Sequence, residues 1–217
     1  MQGPDTQGPL SPSFTSFCSP EGIAFCRNVA SKNLPWDPHD YQLEGACKAL
    51  DGTDVFAITP TGSGKTGFLL VYILVAQAIA NDPALCPEAL RTRFKPDPCM
   101  LVICPTKALE HDMFQAAGLS TLVINANTTK AALATRREGS LWKVACSKKA
   151  VILLSPEQLA TPGFSFLVND PAFAARIMAL NVDEAHLLDS WGHNSDRSFG
   201  RLGTFALGCQ GTPFSSR

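Results

Sequence analysis

Residues 54–80 read DVFAITPTGSGKTGFLLVYILVAQAIA, and the reading of this stretch decides the fold. A short apolar run rich in β-branched and aromatic residues (54–58) has the composition of a buried strand. A turn of Thr, Pro and Gly follows. A long apolar run then begins at Lys65, which predicts a buried helix to about Ala80. At 14 residues the stretch Gly67–Ala80 is shorter than the roughly 20 needed to span a membrane. Strand, glycine turn, Gly-Lys-Thr and helix is the setting in which a chain cradles phosphate. Gly62 and Gly64 allow backbone N–H groups to converge, and the helix N-terminus adds positive potential. Thr61, Gly62, Ser63, Gly64, Lys65 and Thr66 are therefore the expected ATP-binding residues. Lys65 would reach the β- and γ-phosphates, and the Thr66 hydroxyl would bind Mg²⁺. The first glycine of the strict pattern is replaced by Thr59.

Outward from this stretch the pattern alternates. Upstream, residues 21–50 are helical in periodicity, interrupted by Pro35 and Pro38. Residues 1–20 are rich in Pro, Gly, Ser and Thr and read as loosely attached. Downstream, a proline-broken loop (81–98) leads to the apolar run CMLVICP and the helical TKALEHDMFQAAG. TLVINA is a further strand. Residues 128–149 are helical with a break at Gly139, and AVILLSP and IMALNVDE are two more strands. Strands alternating with helices predict an α/β fold, a parallel sheet with helices on both faces. Functional residues then gather at the carboxyl ends of the strands.

The chain of 217 residues has a net charge of −1, so attraction to a polyanion would have to come from a local patch. A mildly basic stretch (Lys130, Arg136, Arg137, Lys143, Lys148, Lys149) could follow a phosphate backbone or form a solvated helix face. Eight cysteines include no C-x-x-C pair, which argues against a zinc site and for reduced, buried thiols in an intracellular protein. No secretory signal and no membrane partner are expected. Trp36, Tyr41 and Trp142 are open between base stacking and ordinary packing, and His111 is expected on an exposed helix face.

The strand 177–182 ends in Asp183 and Glu184. Behind a phosphate loop, one carboxylate holds Mg²⁺ while a second stays free to deprotonate water, and Asp183 and Glu184 take those roles respectively. Glu184, Lys65 and Asp183 form the expected catalytic set, with Thr66 and Asp183 on the metal.

TPTGSGKT with DEAH resembles the first motor domain of a superfamily 2 helicase, and DEAHLLDSWGH is similar to the RecQ-type DEAH-box DNA helicases. The resemblance implies a P-loop NTPase fold with a RecA-like sheet, and ATP-dependent 3′–5′ unwinding of single-stranded or forked DNA in DNA repair and recombination, in the nucleus. It implies that Gln42 in YQLEGACKAL reads adenine. It implies that Pro105, Thr106 and Lys107 in CPTKALEHDM approach the DNA backbone. His186, Trp191 and His193 would couple DNA binding to hydrolysis, and Ser155–Glu157 match the family's Ser-Pro-Glu block. Two positions depart from the pattern. His39 stands where the family has arginine, and WGHNSDR replaces Trp-Gly-His-Asp-Phe-Arg. The resemblance places the ATP-binding domain at 21–207 and a truncated tail at 208–217, with the Ser/Thr-Ala-Thr block and the second motor domain absent. The expectation is weak nucleotide binding and little turnover without that partner domain. The alternatives are a nucleotide- or nucleic-acid-binding remnant without helicase activity, and a small-molecule kinase, which the DEAH stretch disfavours.

Overall fold

The computed structural model describes residues 14–60, 62–105, 108–135 and 138–183. They fall into two compact units, divided after Pro96.

The first unit is helical among its described residues: α1 (Pro20–Asn33), α2 (Asp40–Leu50), α3 (Thr66–Asn81), a 3₁₀ turn (Pro83–Leu85) and the single-turn α4 (Glu88–Arg91). Ser19 caps α1 by accepting from the Gly22 N–H at 3.1 Å, and Pro20 occupies the first turn, where its missing N–H costs nothing. Pro35 and Pro38 fall between α1 and α2, as the sequence predicts. α3 is buried on several faces at once, through Gly67, Leu70–Ala76 and Ile79, which accounts for its lack of a polar stripe.

Two expectations are corrected in this unit. Residues 54–58 form no strand, and Phe56 and Ile58 are 78% and 86% exposed. A strand needs a hydrogen-bonding neighbour, and the described residues of this unit offer only helices. Residues 14–19, assigned by composition to a loose segment, are packed where the structure describes them. Phe14 and Phe17 are buried, with Phe14 stacked on Phe25 and Phe17 edge-on to Phe94. Asp51, at the end of α2, accepts from the Ser16 hydroxyl (2.6 Å) and from the Phe17 and Cys18 N–H groups (3.0 Å each).

Burial alone would raise the Asp51 carboxyl, but the Ser16 hydroxyl and these N–H donors hold it below its ordinary value of 3.8. A carboxyl depressed on folding stabilises the fold at pH above its unfolded value. That contribution is lost as pH falls through the folded one. Urea midpoints taken from about pH 5 to about pH 3 are expected to fall more steeply for wild type than for Asp51→Asn. Parallel curves would remove Asp51 from the acid transition.

The second unit is a four-stranded, all-parallel sheet in the order β2-β3-β1-β4, with β1 Cys99–Ile103, β2 Thr121–Ile124, β3 Val151–Leu154 and β4 Ile177–Val182. α5 (Ala108–Ala116) connects β1 to β2. α6 (Ala126–Ala134) and α7 (Glu138–Cys146) connect β2 to β3. A 3₁₀ turn (Pro156–Ala160), α8 (Pro162–Asn169) and α9 (Pro171–Ala174) lead to β4. β1 and β3 are buried at every residue, as strands covered on both faces are, and this explains their uninterrupted apolar runs. The helical stretch after β2 is interrupted at Thr135 and not at Gly139, which lies inside α7. Thr135 closes α6 with its N–H on the Ala131 carbonyl.

Trp142 of α7 is buried against Gly163 of α8, where an added Cβ would come within 2.1 Å of the indole nitrogen. Its role is helix packing. Arg176 ties together the amino ends of three strands. Its guanidinium donates to the carbonyls of Asp97 (3.1 Å), Cys146 (3.2 Å), Ser147 (2.5 Å) and Lys149 (2.9 Å), and it pairs with the Asp97 carboxylate at 2.8 Å.

Among the described residues, Cys26, Cys47, Cys86, Cys99 and Cys104 are buried free thiols, whereas Cys18 is exposed. A hydrogen bond between Cys26 and Cys47 pushes the Cys26 thiol well up and the Cys47 thiol down. Among the described residues no helix is long and apolar enough to cross a membrane.

Candidate functional site

The phosphate loop closes onto α3 through a left-handed turn. Gly62 and Gly64 have φ of +80° and +81°, a region that side-chain-bearing residues rarely enter. Ser63 lies between them, and alternation of this kind turns successive N–H groups to one side. Lys65 stands at the N-cap of α3, with Thr66 the first helical residue. The Gly67 N–H returns to the Gly64 carbonyl at 2.8 Å and the Phe68 N–H to the Lys65 carbonyl at 3.1 Å, which fixes the first turn.

α2 supports the loop from outside. The Gln42 amide is buried, its Nε2 donating to the Gly64 carbonyl at 2.7 Å and its Oε1 accepting from the His39 N–H at 2.9 Å. It fits because Gly67 has no side chain: a Cβ there would lie 2.3 Å from the Gln42 Nε2. The residue expected to read adenine thus also holds the phosphate loop. Beside it, the Tyr41 hydroxyl donates to the Ser63 carbonyl.

Two hydroxyls of the loop, Thr59 Oγ1 and Ser63 Oγ, are buried without a hydrogen-bond partner among the described residues. Buried hydroxyls are seldom left this way. With the convergent backbone and the helix N-terminus they form a donor set suited to phosphate oxygens. Sequence reasoning included Ser63 and passed over Thr59, which was noted there as a departure from the strict pattern.

In the second unit the carboxyl ends of the strands bring three motif-bearing positions, together with Asn125, to one edge. In register, Ile124 faces Leu154, Leu154 faces Ile103, and Ile103 faces Val182. The ladder continues one residue further: Ser155 N–H to the Ile124 carbonyl (3.2 Å), Cys104 N–H to the Leu154 carbonyl (3.0 Å) and Asp183 N–H to the Ile103 carbonyl (2.8 Å). Asn125, Pro105, Ser155 and Asp183 therefore end or follow their strands at the same edge. Asn125 turns the chain into α6 by accepting from the Asn127 and Thr128 N–H groups at 2.8 and 3.0 Å. Ser155 is buried and donates to the Glu157 carboxylate. Asp183 is half-buried at the end of β4.

Thr61, Thr106, Lys107, Glu184, His186, Trp191 and His193 lie outside the described residues, as do Arg136 and Arg137. Lys130, Lys143 and Lys148 of the basic stretch are exposed. His111 is half-buried where sequence predicted exposure, and its Nδ1 is buried without a partner among the described residues. One-turn-apart neighbours such as Phe114, fully buried, draw its face of α5 inward.

A family model described as DEAD/DEAH box helicase matches residues 39–204. The ATP-dependent DNA helicase Q1 of Rattus norvegicus is 28% identical over 166 residues, 75% of this chain and 23% of the relative. The ATP-dependent DNA helicase RecQ of Haemophilus influenzae is 27% identical over 158 residues, covering 71% and 21% of the two chains. The ATP-dependent DNA helicase Q4 of Homo sapiens is 29% identical over 157 residues, covering 70% and 11%. The chain thus spans less than a quarter of the length of these relatives. The matched span takes in the phosphate loop, the aligned strand ends and the DEAH stretch together, and with its parallel α/β sheet the chain belongs to the DEAD/DEAH box helicase family.

Proposed function

We propose that this chain is the ATP-binding, RecA-like motor domain of an ATP-dependent 3′–5′ DNA helicase of RecQ type, acting on single-stranded or forked DNA. The observation that carries the reading is the phosphate loop, with its two left-handed glycines, carbonyls held from α2 and unpartnered hydroxyls. Lys65 and the N–H groups at the start of α3 would bind the β- and γ-phosphates. The Thr66 hydroxyl and the Asp183 carboxylate would hold Mg²⁺, which when bound offsets phosphate charge. Glu184, next to Asp183 in sequence, would take the proton of the attacking water. Pro105, Thr106, Lys107, His186, Trp191 and His193 are the proposed DNA-facing and coupling residues. Nuclear DNA repair and recombination are the proposed setting, and a second motor domain the proposed partner. Names of the relatives support this reading.

ATP turnover with and without single-stranded DNA tests it. Glu184→Gln is expected to reduce turnover by about 10²–10⁴-fold, the usual share of a general base, and to leave ATP binding intact. Unchanged turnover and unchanged binding would remove Glu184 from the site.

A further inference from the structure

The phosphate loop has an outside as well as an inside, and Tyr41 works on the outside. The Ser63 carbonyl and the Gly64 N–H belong to one peptide unit. In a trans peptide they point in opposite directions, and the chain has no cis peptide among its described residues. Whatever holds the carbonyl therefore aims the N–H. The Tyr41 hydroxyl donates to the Ser63 carbonyl. The next unit is held in the same way, by Gln42 Nε2 on the Gly64 carbonyl at 2.7 Å. Adjacent residues at the start of α2 thus fix two consecutive peptide planes of the loop.

The Tyr41 ring is itself held on two sides. It stacks on His39 (centroids 5.5 Å apart, planes at 13°) and meets Phe68 edge-on at 5.6 Å. Phe68, in the first turn of α3, lies over Gly45, where an added Cβ would come within 2.4 Å of its ring. A ring fixed in this way gives its hydroxyl a set direction. The Ser63–Gly64 peptide plane turns about ψ of Ser63 and φ of Gly64, and Gly64, at φ +81°, would otherwise let it rotate because glycine tolerates either sign of φ.

We infer that Tyr41 is a positioning residue for nucleotide phosphate binding, its hydroxyl orienting the Ser63–Gly64 peptide so that the Gly64 N–H is aimed at the phosphate. The inference rests on the loop being a nucleotide site, as proposed above. It assigns Tyr41 a role through the backbone and none in contact with the base.

Tyr41→Phe keeps the ring contacts and removes only the hydroxyl. The probe is tripolyphosphate, which has neither base nor sugar, displacing a fluescent ADP analogue from the full chain. Tyr41→Phe is expected to weaken tripolyphosphate and ADP alike, by about fivefold to tenfold, as one lost hydrogen bond does, with the thermal midpoint unchanged. Wild-type affinity for tripolyphosphate in Tyr41→Phe would overturn the inference, and so would a loss confined to ADP, which would mean contact with the base. A loss matched by a lowered thermal midpoint would also overturn it, as a merely structural role. Lys65→Ala separates the two levels. If it binds ADP like wild type, the loop is not the nucleotide site and both readings fail. If it loses binding while Tyr41→Phe does not, only the inference fails.

Discussion

Arg176→Ala is expected to destabilise the sheet-bearing unit by about 2–4 kcal/mol, read as a lowered urea midpoint at an unchanged slope. The guanidinium is 12% exposed and reaches carbonyls from two separate connections, the one leading into β1 and the one between α7 and β3. Truncation leaves the Cys146 and Lys149 carbonyls without this donor, while the Ser147 carbonyl keeps the Lys149 N–H at 2.6 Å. The ion pair with Asp97 adds little, because Asp97 is 45% exposed and water screens it. Most of the loss should therefore persist when Asp97→Asn is the background. Arg176→Lys should recover only a small part, since an ammonium cannot supply a planar fork to several carbonyls at once. A midpoint shift below about 0.5 kcal/mol would show that these carbonyls find other partners.

Lys65→Ala is expected to weaken Mg²⁺·ATP binding by about tenfold to a hundredfold, with little change in folding stability. The large effect follows from charge: a bond between an ammonium and a phosphate oxygen is worth roughly twice a neutral one. The small structural effect follows from position. Lys65 stands at the N-cap of a helix whose first turn is fixed by backbone bonds from Gly67 and Phe68, and these survive the substitution. Lys65→Arg should recover little, because a larger planar group does not replace a compact charge in a tight loop.

Much of the fold is legible in the sequence for a physical reason. The strands β1 and β3 are covered on both faces, so their apolar runs are uninterrupted, and the prolines and glycines between elements mark where helices stop. The phosphate loop is legible because only glycine permits its geometry. The failures share a cause as well. Residues 54–58 have a strand's composition, but pairing depends on a neighbour that composition does not reveal. Residues 14–19 have the composition of a loose segment, yet Asp51 holds them through bonds spanning more than thirty positions. The Tyr41–Ser63 and Gln42–Gly64 contacts each cross 22 positions, so no local pattern shows them. Gln42 was found by resemblance, which gave it a role toward the base and not its hold on the loop. Thr59 reads as a flaw in the phosphate motif until its hydroxyl is seen buried and unpartnered.

The central claim is that nucleotide phosphates bind at the Gly62–Thr66 turn. Titration of a fluorescent ATP analogue with Mg²⁺ into wild type and Lys65→Ala tests it most directly. Saturable binding by wild type, weakened at least about tenfold in the variant and displaced by unlabelled ATP, is the predicted result. Equal affinity in the two proteins, or no saturable binding by wild type, would contradict it.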